Sequence, residues 1–274
     1  MAYISHFLKV MTAEMRKQHQ NYFFDKSIYV SLFLWPILTF ITAYYSYKPF
    51  RLDKITGGIA YVNERNLLVF VLIGYLTLSF FRCFVQSAWR FSFERQSGTL
   101  ELIYMSPGNR FAVVLGNAVS SLFESIWLLL VFGLGIFILH SAQLKVNVPG
   151  AIVSVLLLVL LSMLWGILLN SLFLFSRDSG FLFTILEEPM EIFGGVKVPN
   201  QVFPLWAKGI SYIFPLTYSA EMVRQVFLNG ATFLELLPFW RISLLISLLM
   251  FGSSLLCLHL GERHAKVTGN MALF

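Results

Sequence analysis

What most constrains this chain is a series of apolar stretches, several of them close to the ~20 residues a helix needs to cross a bilayer. They fall at residues 27–47, 66–89, 111–139, 151–175 and 239–260, with a sixth, interrupted stretch at 181–195. In hydrocarbon, every backbone N–H and C=O must find its partner inside the protein, so only helices and closed barrels can span. The stretches lack the ~10-residue alternating pattern of barrel strands. They read as helices. Composition agrees: of 274 residues, 57% are hydrophobic and 12% are charged, with mean hydropathy +0.74. A soluble domain of this size carries about 25% charged residues. The fold class is therefore an all-α membrane protein with six transmembrane helices.

Residues 1–26 have no short apolar core leading to a small-residue cleavage site, so they do not read as a secretory signal. Phe7, Val10, Met11 and Met15 set against Lys9, Glu14, Arg16 and Lys17 suit an N-terminal helix lying in the membrane interface. A loosely ordered tail is the alternative. Six spans across residues 27–262 place both termini on one side, with a polar tail at 263–274. Ten Lys and Arg on the N-terminal side against eight on the other give a slight vote for a cytoplasmic N-terminus. The net charge of +6 sits largely beside the spans, where it can meet lipid headgroups. No basic module interleaved with aromatics is present, so a nucleic-acid partner is not expected. Cys83 and Cys257 each lie in an apolar run without metal-ligand spacing and read as packed thiols.

Between the second and third stretches lies "FERQSGTLELIYMSPGNR", residues 93–110. Ser97 or Gly98 can cap a short helix, with Glu101 in its first turn where the helix dipole favours an anion. Leu100, Ile103 and Tyr104 share a face by their i, i+3, i+4 spacing. Pro107 ends the helix, because the residue before a proline avoids the α region. The result is a rigid amphipathic peg of about two turns between two membrane helices. An ordinary interfacial loop helix is the plain alternative.

This segment resembles the cytoplasmic loop of type-2 ABC exporter permeases, whose pattern is E-x-x-x-G-T-L-E-x-L-x-x-S-P. Glu94, Gly98, Thr99, Leu100, Glu101, Ser106 and Pro107 match it, with Ile103 where the family has Leu. A second segment, "GGVKVPNQVFPLWAKGISYIFPLTYSAEMVRQ", is similar to the family's late pattern through Gly195, Pro199, Pro204, Trp206, Pro215, Leu216, Thr217, Tyr218 and Arg224, with Phe203 in place of the usual Leu. The resemblance implies that loop 90–110 carries a coupling helix docking on cytoplasmic ABC ATPase subunits. It also implies that residues 196–238 form extracellular re-entrant helices before the last span. The chain has no G-x-x-x-x-G-K-[ST] to cradle phosphate. ATP and Mg are thus expected on the partner ATPase, with no cofactor on this chain. The expected assembly includes a second permease chain, identical or related, in a bacterial or archaeal cell membrane. The cargo read from this resemblance is amphipathic: drug-like, peptide or lipid-linked. Polysaccharide and sodium export are the alternatives within the family. An intramembrane enzyme is disfavoured, since no Ser/His pair or H-E-x-x-H occurs, and a non-transporting membrane scaffold is the third class.

Polar residues within the spans mark a candidate transport path. Span two carries Ser79, Arg82, Cys83, Gln86 and Arg90 as one stripe; span three carries Asn117, Ser120, Ser121, Glu124 and Ser125 as another. Such faces turn away from lipid, and either helix packing or a substrate path accounts for them. Arg82 has two options, pairing with Glu124 or snorkelling to the interface. Glu187, Glu188 and Glu191 surround Pro189 in span five. They read either as an acidic lining favouring cationic substrates or as carboxylates of a short span already near the outer interface. The resemblance does not supply this cluster.

Overall fold

A computed structural model describes residues 2–23, 26–47, 67–140, 144–173 and 179–268. Among them the chain is helical: α1 (Ala2–Tyr22), α2 (Lys26–Tyr47), α3 (Leu67–Gln96), α4 (Thr99–Met105), α5 (Arg110–Ser120), α6 (Leu122–His140), α7 (Val148–Leu172), α8 (Ser179–Phe193), α9 (Leu205–Ser211), α10 (Pro215–Arg224) and α11 (Phe233–Thr268). A short 3₁₀ turn, Asn200–Val202, precedes α9, and a π-helical segment, Gln225–Asn229, follows α10. The loop expected at residues 48–65 and the end of the tail lie outside the described residues.

Four helical stretches are long and apolar enough to cross a membrane: Leu68–Gln96, Arg110–Ile138, Val148–Leu172 and Phe233–Gly261. The apolar part of α2, Lys26–Thr39, and the 15-residue α8 fall short of that length. Of the six spans expected, four are thus present by length and composition. Three boundaries differ from the sequence reading. The second stretch does not end near Trp89 but continues as one helix to Gln96, because Arg90 and Arg95 find buried partners there. The third is broken at Ser121, between α5 and α6. The last helix starts at Phe233, six residues before the apolar run.

Local chemistry accounts for several helix starts. The Asn109 side chain accepts from the Ala112 N–H at 3.2 Å and caps α5. Asn147 caps α7 in the same way, and its amide also donates to the Ala231 carbonyl at 2.9 Å, tying this end of α7 to the approach to α11. Thr232 and Glu235 form a capping box at the head of α11: the Glu235 carboxylate accepts from the Thr232 N–H at 2.7 Å and from its hydroxyl at 2.9 Å.

α3 stands at the centre. It packs against α5, α6, α7, α8 and α10, and Phe70, Phe80, Phe81 and Phe84 along it are fully buried. α1 lies along α5 so closely that a Cβ on Gly116 would sit 2.7 Å from the Met11 carbonyl oxygen. Phe7 meets Phe111 across the same contact. Glu14, on the polar face by sequence, is buried there instead and accepts from Gln18 at 2.8 Å. Small residues let α7 approach α3 too: a Cβ on Gly166 would lie 2.9 Å from the Phe84 carbonyl oxygen.

The tightest approach is at Gly74 on α3. A Cβ there would come within 2.4 Å of both the Arg224 guanidinium and the Val196 carbonyl oxygen. Backbone cannot yield cheaply, so Gly74→Ala is expected to cost about 1–3 kcal/mol through overpacking. The check is the thermal midpoint of the purified protein in detergent. A midpoint equal to wild type would show that the α8–α9 connector does not press on α3.

Candidate functional site

The peg between α3 and α5 is α4, entered through Gly98 in the left-handed conformation (φ 70°). That backbone geometry favours glycine. Gly98 is the N-cap, without a side-chain bond; Thr99 instead turns its hydroxyl back to the Glu94 carboxylate and to the Glu94 carbonyl, the latter at 3.1 Å. Lys17 on α1 then bridges Glu94 at 2.9 Å and Glu14 at 3.0 Å. Burial pulls the Lys17 pKa down, but the two carboxylates outweigh it and hold the pKa above the ordinary lysine value. Lys17 therefore stays charged and fastens α1 to the base of α3.

Leu100 is fully buried and Ile103 packs against the core, so this face of α4 turns into the bundle. Leu102 and Met105 point outward, 65% and 79% exposed. Ser106 and Pro107 follow, also exposed, with the Ser106 hydroxyl donating to the Ile103 carbonyl at 2.7 Å. The side chains of Glu101 and Tyr104 lie outside the described residues.

Farther from α4 on α3, Arg82 pairs not with Glu124 but with two carboxylates of α8. Its Nε lies 2.8 Å from Glu187, and its Nη2 contacts Glu191. Lys197, past the end of α8, reaches Glu191 at 2.9 Å. Two carboxylates thus face two cations, while Glu188 is exposed. A buried charge without its partner is strongly destabilising, and pairing is how this sequence avoids that penalty. The cluster is therefore a compensated network joining α3, α8 and the following connector.

Glu124 belongs with a different arginine. Arg90 Nη1 lies 4.0 Å from it, and Arg90 donates to the Ser121 hydroxyl. The rings of Tyr22 and Phe23 stand 5.3 and 5.5 Å from the guanidinium carbon. Arg95 donates to the Phe173 carbonyl at the end of α7, at 2.6 Å. Asn117 is fully buried among three helices: its amide donates to the Ser87 carbonyl at 2.7 Å and to Asn170 at 2.9 Å, and Asn170 donates to the Ser87 hydroxyl at 3.2 Å. Gln86, one turn before Arg90, is exposed.

In the late segment, Arg224 is 1% exposed and serves as the organising residue. It donates to the carbonyls of Gly195 at 2.6 Å, Val196 at 2.7 Å and Phe70 at 3.2 Å, and its guanidinium lies over the Phe70 ring at 3.5 Å. Gly195 is left-handed (φ 75°), which aims those carbonyls inward. Pro199 is buried, Pro204 caps α9, and Pro215 opens α10. The Tyr218 hydroxyl donates to the Tyr212 carbonyl at 3.1 Å, and Trp206 packs on Phe193 with centroids 6.0 Å apart.

Both segments singled out by sequence thus form ordered elements on α3. The family model described as ABC-2 type transporter matches residues 10–228, which include both. The chain belongs to the ABC-2 type transporter family. No curated protein gives a match. As a member of that family the chain is a permease component of an ABC transporter, a multi-pass membrane protein of a kind that works with ATP-binding subunits.

Sequence reasoning missed three partners in this ABC-2 type permease: Lys17, Lys197 and the Phe173 carbonyl. The only available signal was charge balance, since each buried ion needs a counter-ion; spacing gave no indication which residue would supply it. Leu102 and Met105 were hidden because a seven-residue helix offers two apolar pairs, and only packing decides which turns inward.

Removing one member of the Arg82 network is expected to leave uncompensated charge. Arg82→Leu is expected to cost about 3 kcal/mol, with much of the loss recovered when Glu187→Gln and Glu191→Gln are added. Thermal midpoints of the single and triple variants measure this. Absence of recovery would mean that Arg82 stabilises the fold by packing its stem rather than by pairing.

Proposed function

We propose that this ABC-2 type permease is an exporter subunit in which α4 is the coupling helix. The observation that carries this reading is the exposed pair Leu102 and Met105, projecting from a short helix that is fixed from behind. Leu100 is sunk in the core, Thr99 holds Glu94, and Lys17 joins Glu94 to α1. A knob of this kind suits an apolar groove on a separate ATP-binding subunit, and a push on it reaches α3 and α1 together. ATP and Mg belong to that partner, and this chain carries no cofactor of its own.

The assembly comprises two permease chains, identical or related, and two cytoplasmic ATPases in a bacterial or archaeal cell membrane. Both termini are cytoplasmic; α2 and α8 complete six spans with the four long stretches, and residues 196–238 are the extracellular re-entrant region. The exposed Leu205, Trp206 and Ile213 on and beside α9 support that last assignment, since they suit the lipid interface. The cargo is an amphipathic molecule taken through the interface of the two permeases.

Leu102→Asp combined with Met105→Asp is expected to abolish co-purification with the ATPase and substrate-stimulated hydrolysis, leaving membrane insertion intact. Gly98→Pro is expected to do the same, because proline cannot adopt φ near +70°. Unchanged co-purification and stimulation in both variants would remove α4 from the coupling role. Topology is checked separately by cysteine labelling in a Cys-free background. An impermeant reagent on intact cells is expected to label position 200 and not position 109; the reverse would invert the arrangement.

A further inference from the structure

A groove of about 330 Å³ opens between α2, α3 and α6, apart from the Arg82 network. Its walls combine the apolar side chains of Leu38, Leu128 and the exposed Trp35 with Ser31, Gln86 and Glu124. No lysine or arginine lines it. Glu124 is only 14% exposed and stands at the head of α6, where an uncompensated carboxylate is costly. The cation that faces it is Arg90, and that pairing is loose. Its Nη2 is bonded to Ser121, its face is taken by Tyr22 and Phe23, and its Nη1 stays 4.0 Å from Glu124, too far for a hydrogen bond. Glu124 also accepts a hydrogen bond from the Cys83 thiol, a weak donor that brings no charge, so a ligand entering the groove meets a carboxylate whose charge is incompletely countered, an amide and an indole.

We propose that this groove binds lipophilic cations: molecules with a bulky apolar body and one positive head, the head against Glu124 and Gln86 and the body against Trp35, Leu38 and Leu128. An anion would face Glu124 without a basic residue to receive it. A neutral body would fill the apolar wall but leave the carboxylate unrelieved. A cation gains the charge-assisted contact and the aromatic face together. The proposal rests on the exporter reading above in one respect, that such a cation is cargo rather than a resident ligand. Lying one turn from Arg90 on the α4 side of α3, the groove is placed to load molecules before they reach the Arg82 level.

Binding of tetraphenylphosphonium to the full chain in phosphatidylcholine nanodiscs tests this, counted as saturable binding above that of empty nanodiscs. Tetraphenylborate, of the same shape and opposite charge, is the comparison. The expected result is saturable phosphonium binding, weakened about tenfold by Glu124→Gln and about threefold by Trp35→Ala, which touches only the exposed ring. Saturable borate binding is expected to be absent. Equal phosphonium affinity in wild type, Glu124→Gln and Trp35→Ala would overturn the site, as would borate binding as tight as phosphonium. Should Glu124→Gln elute as an aggregate, Trp35→Ala and Gln86→Ala decide the question. The measurement needs no ATPase, so failure of α4 to couple leaves it intact, and a coupled exporter without charge-dependent binding would count against the groove alone.

Discussion

The guanidinium groups along α3 restrict how the other helices can be arranged, because each must bring its partners into the bundle with it. Arg82 draws in Glu187 and Glu191 on α8. Arg90 takes Ser121 and faces Glu124, fixing the break between α5 and α6. Arg95 takes the last carbonyl turn of α7 through Phe173. At the opposite end, α3 is itself the acceptor, offering the Phe70 carbonyl and ring to Arg224 from α10. Four neighbours are thus positioned by one helix, and none of the four contacts can slide by a turn without stranding a charge. Hydrophobic packing cannot impose this register, since lipid tails compete equally well for apolar surface. Polar pairing sets register, and the phenylalanines of α3 then fill the space around it.

Such a helix is a stiff element. At about 1.5 Å per residue, its 30 residues span roughly 45 Å without an internal proline. One end is clamped by Arg224, and the other passes through two residues into α4. Movement of α4 must then be taken up where the neighbours are discontinuous. The break at Ser121 and the π segment Gln225–Asn229 are two such places, and π segments recur at functional positions because their hydrogen bonding is locally irregular. Rigid connection and local weakness alternate along the chain.

The helical class was legible because hydropathy is a property of long windows, and membrane backbone chemistry leaves few alternatives. The family was legible because its two motifs contain residues with backbone constraints: Gly98 and Gly195 with positive φ, and prolines at helix boundaries. Helix ends were less legible. Trp89 looked like an end because charged residues follow it, yet burial of Arg90 and Arg95 carries α3 to Gln96. The pairing of Arg82 was illegible for a related reason. A stripe on a helix tells which residues face inward but not which neighbour they meet, and Glu187 lies more than a hundred residues away. The same limit hid Lys197, whose position outside any span gave no reason to connect it with a buried carboxylate.

Asn117 and Glu124 sat on a single inward stripe in the sequence, and the fold divides them. Asn117 closes a circuit with Ser87 and Asn170 in which each amide already donates to protein acceptors, with no exposed surface. The Asn117 Oδ1 is left without a hydrogen bond, but it is sealed among three helices and out of a visitor's reach. Glu124, two turns along, is met incompletely by Arg90 and lies beside the exposed Gln86. What separates packing from recognition on these helices is therefore not polarity or periodicity. It is whether the bundle encloses the side chain or leaves it on an open groove with its charge incompletely met, and that is decided only once the neighbours are in place.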